Sequence, residues 1–318
     1  MQISVVIPAH NAAATISATI ESVLAQTVVP FEILVLDDGS TDDTLDHLQA
    51  YEPRITVFRQ SNNGVAHARN FLCKQSRGDL IAFLDADDIW HPTYLDTQLK
   101  VIEKHPGAVA YFTEHENLIG YENHVWVAQS AGHPTVSEVI NPSEFIKRYS
   151  RTPLSFQMSC CCVPQKVLKQ IGERPFPVCV SGADDTYLHN ILPLFGSVVY
   201  TPVALVAYRI TSSSISANRL RMSLLVVDAF KMLEELYAKA DDLVLYDVFK
   251  SVFASRRRNC GKFLMGAGKV VDARRHFWES VKTSGNLKSI AKSLVLLLLT
   301  CIPRFSQPAW PSSQRRIA

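Results

Sequence analysis

Four short apolar runs, each followed by a stripe of helical period, constrain the fold of this chain more than any other feature. Residues 3–7 are β-branched and stop at Pro8, and Ile16, Ile20, Val23 and Leu24 then recur at helical spacing. Residues 31–36 form a second run, and Ser40-Thr41-Asp42-Asp43 supplies a helix cap ahead of Leu45 and Leu48. Residues 55–58 are the third, backed by Val65, Ala68, Arg69 and Leu72, and residues 80–84 are the fourth. This order predicts a parallel sheet with right-handed crossover helices. Ligands of such sheets bind in the crevice beyond the carboxyl ends of the strands.

The fourth run ends in Leu84-Asp85-Ala86-Asp87-Asp88. Carboxylates held this close repel one another unless a hard cation or a row of donors compensates. An acidic strand end at a crevice therefore reads as a site more readily than as a solvated turn.

Composition narrows the function. At 318 residues the chain predicts one large domain plus an appendage, and 47% apolar residues suffice for a packed interior. A net charge of +2, without a Lys/Arg run interleaved with aromatics, gives a nucleic-acid partner no support. The seven cysteines form no Cys-x-x-Cys pair, and their odd number fits reduced thiols in a cytoplasmic protein. Cys160, Cys161 and Cys162 are consecutive, which suits a buried strand. The first residues lack the basic region of a signal peptide. The apolar residues 294–302 fall far short of the ~20 that a spanning helix needs.

Beyond Asp88 the pattern is mixed. Pro92 opens a predicted helix through Leu95, Leu99 and Ile102, and residues 108–112 read as a strand. Residues 113–145 read as irregular, a variable region over a substrate site. A strand over 159–163, a helix over 166–171 and separate strands over 198–200 and 205–208 follow. From about residue 218 the texture is helical, with stripes through Leu220, Leu224, Val227, Phe230 and Leu233 and through Leu245, Val248, Phe249, Val252 and Phe253. Two more helices are expected over 270–281 and ahead of Pro303.

Four segments lie at or just past the predicted strand ends: Ile7-Pro8-Ala9-His10-Asn11, Leu36-Asp37-Asp38-Gly39-Ser40, Asn62-Asn63-Gly64 running on to Ala68-Arg69-Asn70, and Phe83-Leu84-Asp85-Ala86-Asp87-Asp88. In this order they resemble the family-two glycosyltransferases, with their GT-A nucleotide-sugar-binding fold. The resemblance spans residues 1–115 and continues more loosely to about 216.

The resemblance implies a Rossmann-like, mainly parallel α/β sheet that transfers a sugar, with inversion, from a nucleotide-diphosphate sugar to a hydroxyl. The acceptor class it implies is a lipid-linked or growing oligosaccharide, as in bacterial surface polysaccharide synthesis. Asp87 takes the place of the ligand to Mg²⁺ or Mn²⁺, with Asp85 nearer the ribose or in an outer shell. Asp37 and Asp38 fall where the base is read, His10 where a side chain stacks on it, and Arg69 where the donor is held. Pro8 and Ala86 complete the donor-binding set. In Ser181-Gly182-Ala183-Asp184-Asp185, Asp184 takes the place of the family glutamate and Asp185 that of the catalytic aspartate, the general base. After Tyr208-Arg209 the family often carries a histidine; Thr211 stands there, which leaves Arg209 as a phosphate contact.

The expected organisation is a catalytic domain over 1–216, with a donor half (1–115) and an acceptor half (116–216), and a helical extension over 217–318. In the extension Lys288, Lys292, Arg304, Arg315 and Arg316 surround the apolar residues 294–299. That pattern fits either the inner face of the plasma membrane or an oligomer contact. A non-catalytic nucleotide-sugar-binding or assembly protein of the same fold is the alternative. A dinucleotide-dependent oxidoreductase is disfavoured, because Pro8-Ala9-His10-Asn11 stands where a Gly-x-Gly-x-x-Gly would follow the first strand.

Overall fold

The computed structural model describes residues 1–120, 126, 136–151, 156–210 and 218–302. It divides into two compact units, Met1–Ala217 and Asn218–Ala318.

The first unit is built on the predicted alternation. Strands β1 (Ile3–Ala9), β2 (Glu32–Asp38), β3 (Thr56–Gln60) and β4 (Leu80–Phe83) alternate with helices α1 (Ile16–Leu24), α2 (Thr44–Gln49) and α3 (Val65–Gln75). Every residue of β1 and β4 is buried, as expected of central strands covered on both faces. Parallel pairing sets Ala9 beside Asp37, Asp38 beside Gln60 and Val6 beside Phe83. The four strands that lead into the acidic or polar segments are thus brought to one end of the sheet by parallel register alone.

The rest of the unit contains β5 (Ile89–Trp90), α4 (Tyr94–Lys104), β6 (Ala110–Ile119), β7 (Glu138–Ile140), α5 (Pro142–Arg151), β8 (Cys161–Pro164), α6 (Gln165–Ile171), α7 (Asp184–Ile191) and β9 (Val198–Ile210). Among the described residues the sheet runs β3-β2-β1-β4-β8-β6-β9-β5, with β7 on β9. The β8 strand is antiparallel to β4 and to β6, so the sheet is mixed, with its parallel half at the β1 side. Cys160, Cys161 and Cys162 are fully buried and unbridged, consistent with packing roles.

Two sequence expectations change here. Residues 113–119 are not irregular but continue β6, and the described part of the remaining segment includes β7 and α5. The two late strands are one, β9, paired with β6 across a register shift that takes Thr113 opposite Thr201 and Glu114 opposite Ala204. Pro202 and Val203 occupy the extra positions; proline has no N–H for a ladder and is tolerated at a bulge.

The second unit holds α8 (Arg219–Lys239), α9 (Leu243–Gly266), α10 (Val270–Thr283) and α11 (Leu287–Leu299), the four helices expected. Asn218, Asp242 and Asn286 cap three of them through their side-chain oxygens. Tyr237 stacks on Phe249 at 4.1 Å between ring centroids. A Cβ on Gly261 would stand 2.5 Å from the Phe277 ring, so α9 and α10 approach as closely as they do because residue 261 has no side chain. Among the described residues no helix is long and apolar enough to cross a membrane.

Candidate active site

The strand-end loops are stitched together by side chains. Asn11 takes a left-handed backbone (φ 49°), a conformation that asparagine tolerates, and turns the chain out of β1. Its N–H donates to Ser40 Oγ at 2.9 Å, and its Oδ1 accepts from Thr41 N–H at 2.8 Å. His10 Nδ1 lies 3.0 Å from the Asp38 carbonyl, and Nε2 lies 3.0 Å from Asn62 Nδ2. Since a carbonyl only accepts, the proton sits on Nδ1 and Nε2 receives the asparagine N–H. Gly39 (φ 72°) closes the corner: a Cβ there would meet Asn62 N at 2.6 Å.

Asp38 accepts from Gln60 Nε2 at 2.6 Å, Asn63 N–H at 2.9 Å and Gly64 N–H at 2.8 Å, so its carboxylate pins the loop after β3. Asp37, 0% exposed, accepts from Ser40 N–H through Oδ1; its Oδ2 lies 3.4 Å from Arg59 Nε and has no hydrogen bond. Pro8 pairs with Leu36 inside the sheet. The predicted base-reading residues therefore cluster over β1 and β2.

The second cluster lies two strands across, beyond β4. The Ala86 carbonyl accepts from Thr15 Oγ1 at 2.9 Å and Thr19 Oγ1 at 3.0 Å, which anchors the acidic segment to α1. Asp88 is fully buried, takes the Ser159 hydroxyl on Oδ2 and accepts Arg209 N–H at 2.9 Å on Oδ1. Ser159 also receives the Asp85 N–H at 3.0 Å. Arg209, predicted as a phosphate contact, is buried instead, with Nε donating to the Asp87 carbonyl at 2.8 Å and Nη1 to that of Gly120 at 2.7 Å. It holds the backbone that carries Asp87. Thr211, the position that departs from the family pattern, lies outside the described residues.

Arg69 joins this cluster to the start of α7. Its guanidinium is buried, with Nη2 2.6 Å from Asp85 Oδ1 and Nη1 2.7 Å from Asp184 Oδ2. Burial opposes its charge, but Asp85, Asp184 and Asp185 outweigh that and hold its proton more tightly than usual. Asp184 also accepts the Gly182 N–H at 2.8 Å. Residues 115 apart in sequence are thereby locked together, and Asp185 at the start of α7 is drawn to the β4 end.

Three carboxyls here hold their protons more tightly than usual; burial, then Asp87 and Asp85, raise Asp88. Burial first, and then Asp85, push Asp87 up to about 6. Burial first, and then Asp184, push Asp185 up to about 6, against the pull of Arg69. Tyr208 marks the centre of the group: burial, then Asp88, Asp85, Asp87 and Asp185, raise its hydroxyl well above the usual range. Asp85, Asp87, Asp184 and Asp185 thus converge, whereas Asp37, Asp38 and His10 lie at the ends of β1 and β2. Thr15, Thr19, Asp88, Ser159 and Tyr208 were absent from the sequence-derived set. Asp88 alone carried a signal, as the third carboxylate of its run.

His189, one turn beyond Asp185, is buried with neither ring nitrogen hydrogen-bonded, against Phe112 and Tyr149 at 5.2 and 5.3 Å between centroids. Burial, then Arg69, lower it from 6.5 to about 3. Above pH 6.5 it is neutral in both states and contributes nothing to the pH dependence; as pH falls toward 3 the unfolded chain takes up a proton that the folded one refuses. Stability should therefore drop in this window by up to about 1.4 kcal/mol per pH unit from His189. The raised Asp87 and Asp185 carboxyls pull the opposite way, so the test compares melting of wild type and His189→Phe from pH 7 to 4. The variant should lose less stability, and parallel curves would refute the assignment.

A mostly parallel sheet with a carboxylate run at the β4 end is the architecture of GT-A glycosyltransferases. The model of glycosyl transferase family 2 matches residues 4–172, and the chain belongs to that family. The Escherichia coli protein described as UDP-Glc:alpha-D-GlcNAc-diphosphoundecaprenol beta-1,3-glucosyltransferase WfaP is 41% identical over 103 residues, 32% of this chain and 41% of that protein. The Bacillus subtilis protein TuaG, described as a putative teichuronic acid biosynthesis glycosyltransferase, is 39% identical over 113 residues, 34% of this chain and 45% of its own length. The chain therefore spans less than half the length of these relatives. The structure of S. aureus TarS 1-349 in complex with UDP-GlcNAc superposes with a TM-score of 0.69 at 17% identity, covering 94% of this chain and 90% of that one. The mannosyltransferase PcManGT from Pyrobaculum calidifontis, in complex with GDP-Man and Mn2+, gives 0.59 at 17%, covering 96% and 81%. Likeness at such identities establishes the fold.

Proposed function

We propose that this protein is an inverting glycosyltransferase that moves a sugar from a nucleotide-diphosphate sugar to a hydroxyl of a lipid-linked or growing polysaccharide, at the inner face of the plasma membrane. The observation that carries this reading is the Asp85–Arg69–Asp184 bridge, which holds the acidic β4 end and the start of α7 in one crevice. The names of WfaP and TuaG support a polysaccharide acceptor, and the UDP-GlcNAc and GDP-Man complexes of the structural neighbours support the donor class.

Residues 1–115 form the donor half of this site. Asp37, Asp38, His10 and Pro8 lie where the base would sit. Asp38 and His10 act by fixing the loops, and Asp37 Oδ2 keeps an unused acceptor. Asp85, Ala86 and Asp87 face the diphosphate, and Arg69 reaches the donor through Asp85. Residues 116–216 form the acceptor half. Asp185, ionised at neutral pH with its carboxyl at about 6, accepts the proton of the attacking hydroxyl. Attack from the face opposite the leaving diphosphate inverts the anomeric carbon. Asp184, held by Arg69 and the Gly182 N–H, fixes the position of Asp185.

The residues fit a divalent cation of one kind. Among the described residues no three ligating side chains form a cage. Mg²⁺ characteristically needs only one or two carboxylates when a phosphate completes its shell. Asp87 is half-buried and crowded by Asp85, effects that together outweigh the pull of Arg209 and Arg69, and all-oxygen donors suit Mg²⁺ or Mn²⁺. A cation bound there would supply Lewis-acid stabilisation of the leaving diphosphate.

Asp87→Asn should abolish the gain in nucleotide-sugar affinity that Mn²⁺ confers, at least about tenfold, leaving only the metal-independent binding. Calorimetric titration with and without Mn²⁺ measures it, and an undiminished Mn²⁺ effect would move the metal elsewhere. The function itself is tested by a thermal-shift screen of nucleotide sugars with Mn²⁺, followed by NMR of the product. One stabilising donor and an inverted anomer are expected; a retained anomer would contradict the mechanism.

A further inference from the structure

A helix packed on a bundle in water buries its apolar stripe and exposes its polar one, but α11 half-buries Ile290, Leu296, Leu297 and Leu299 and leaves a second apolar strip outward. Its buried residues are Ser289 and Ser293, with Thr300 just beyond. Arg258 Nη1 donates to Ser289 Oγ at 2.6 Å, and Arg274 Nε donates to Thr300 Oγ1 at 2.9 Å. Ser280 and Ser293 hydroxyls lie 2.9 Å apart beneath it. The outward face carries Leu294, Val295 and Leu298, with Ile302 in the turn that follows; Leu298 is 67% exposed.

The bundle thus satisfies the serines of α11 and leaves Leu294, Val295 and Leu298 outward. In the sequence, the charge of α11 and of the residues that follow it has one sign. From Ser280 to Ala318 the charged side chains are Lys282, Lys288, Lys292, Arg304, Arg315 and Arg316, and none is acidic. Lys288 and Lys292 are exposed beside the apolar face. At 13 residues α11 is about 20 Å long, too short to span a bilayer core but long enough to lie along its surface.

Building on the membrane-surface setting of the proposed transfer, we propose that α11 lies in the interface of a bilayer containing anionic lipid. Leu294, Val295, Leu298 and Ile302 enter the acyl boundary, and Lys288 and Lys292 sit among the lipid phosphates. Uniform positive charge beside an apolar face is complementary to such a surface.

The test is flotation of the full chain with phosphatidylcholine vesicles, with and without phosphatidylglycerol. Wild type should float with the anionic vesicles and release as salt rises. Leu294→Glu/Leu298→Glu should weaken binding more than about tenfold, and Lys288→Glu/Lys292→Glu should remove the preference for phosphatidylglycerol. The lysine pair is exposed, so it keeps the test open should the leucine pair unfold by circular dichroism. Absence of flotation, or undiminished flotation of a folded leucine variant, overturns the proposal. So does light scattering that shows a wild-type dimer split by the leucine substitutions, because the face would then belong to a second copy. A melting shift with UDP and Mn²⁺ keeps the two readings apart. A chain that floats without that shift retains the lipid surface and loses the transfer reading, and a shift without flotation does the opposite.

Discussion

Asp185→Asn is expected to lower kcat by about 10²–10⁴-fold, the usual weight of a positioned general base, with donor affinity unchanged. The amide keeps the shape and the acceptor oxygen that receives the Thr186 N–H, but it cannot take a proton. The pH profile provides the sharper test. Burial and Asp184 hold the Asp185 carboxyl of the free protein at about 6, so wild-type kcat/KM should climb with pH through that value and level off above it. Asp185→Asn should lose the rise. A variant with wild-type turnover would remove Asp185 from the reaction and return the chain to a non-catalytic nucleotide-sugar-binding role.

Arg69→Met carries the largest expected loss of stability. Removing the guanidinium leaves Asp184, 1% exposed, without its cation, and it frees Asp85 to repel Asp87. Breaking a buried ion pair from one side costs about 3–5 kcal/mol. Asp85 is partly exposed and water screens its share, so the lower end of that range applies. Melting should fall by roughly 6–12 °C, at 2–4 °C per kcal/mol for a unit of this size. Arg69→Lys should recover only part of the loss, because one ammonium cannot serve two carboxylates in a fixed fork. Adding Asp184→Asn to Arg69→Met should restore stability, a coupling that a double-mutant cycle measures. Additive losses would show that the bridge contributes nothing as a unit.

The meeting of the β1, β2 and β4 ends was legible because its information is local. Strand period, the polar residues that end each strand and the parallel register put the segments around Pro8, Asp37 and Asp85 at one edge without any knowledge of distant contacts. Gly39, Gly64 and Asn11 mark the turns by residue type alone. The rest of the site depends on pairings that no spacing encodes. Ser159 and Tyr208 reach the carboxylates from β8 and β9 territory, more than 70 residues away from Asp85 in each case. Asp38, Arg69 and Arg209 were legible as residue types but not as partners: each is hydrogen-bonded within the protein. Strand β9 was split in the sequence because Pro202 breaks the apolar pattern, and only the pairing with β6 shows that the chain bulges and continues. In α11 the apolar run was plain, but the burial of its serines depends on Arg258 and Arg274 from neighbouring helices.

The measurement that bears most directly on the central claim is an experimental structure of the protein with UDP and Mn²⁺. The account predicts the metal between the Asp87 carboxylate and the diphosphate, the base over the β1 and β2 ends, and Asp185 facing the vacant sugar position. A nucleotide bound away from the Asp85–Arg69–Asp184 bridge, or a metal that leaves Asp87 unligated, would contradict it.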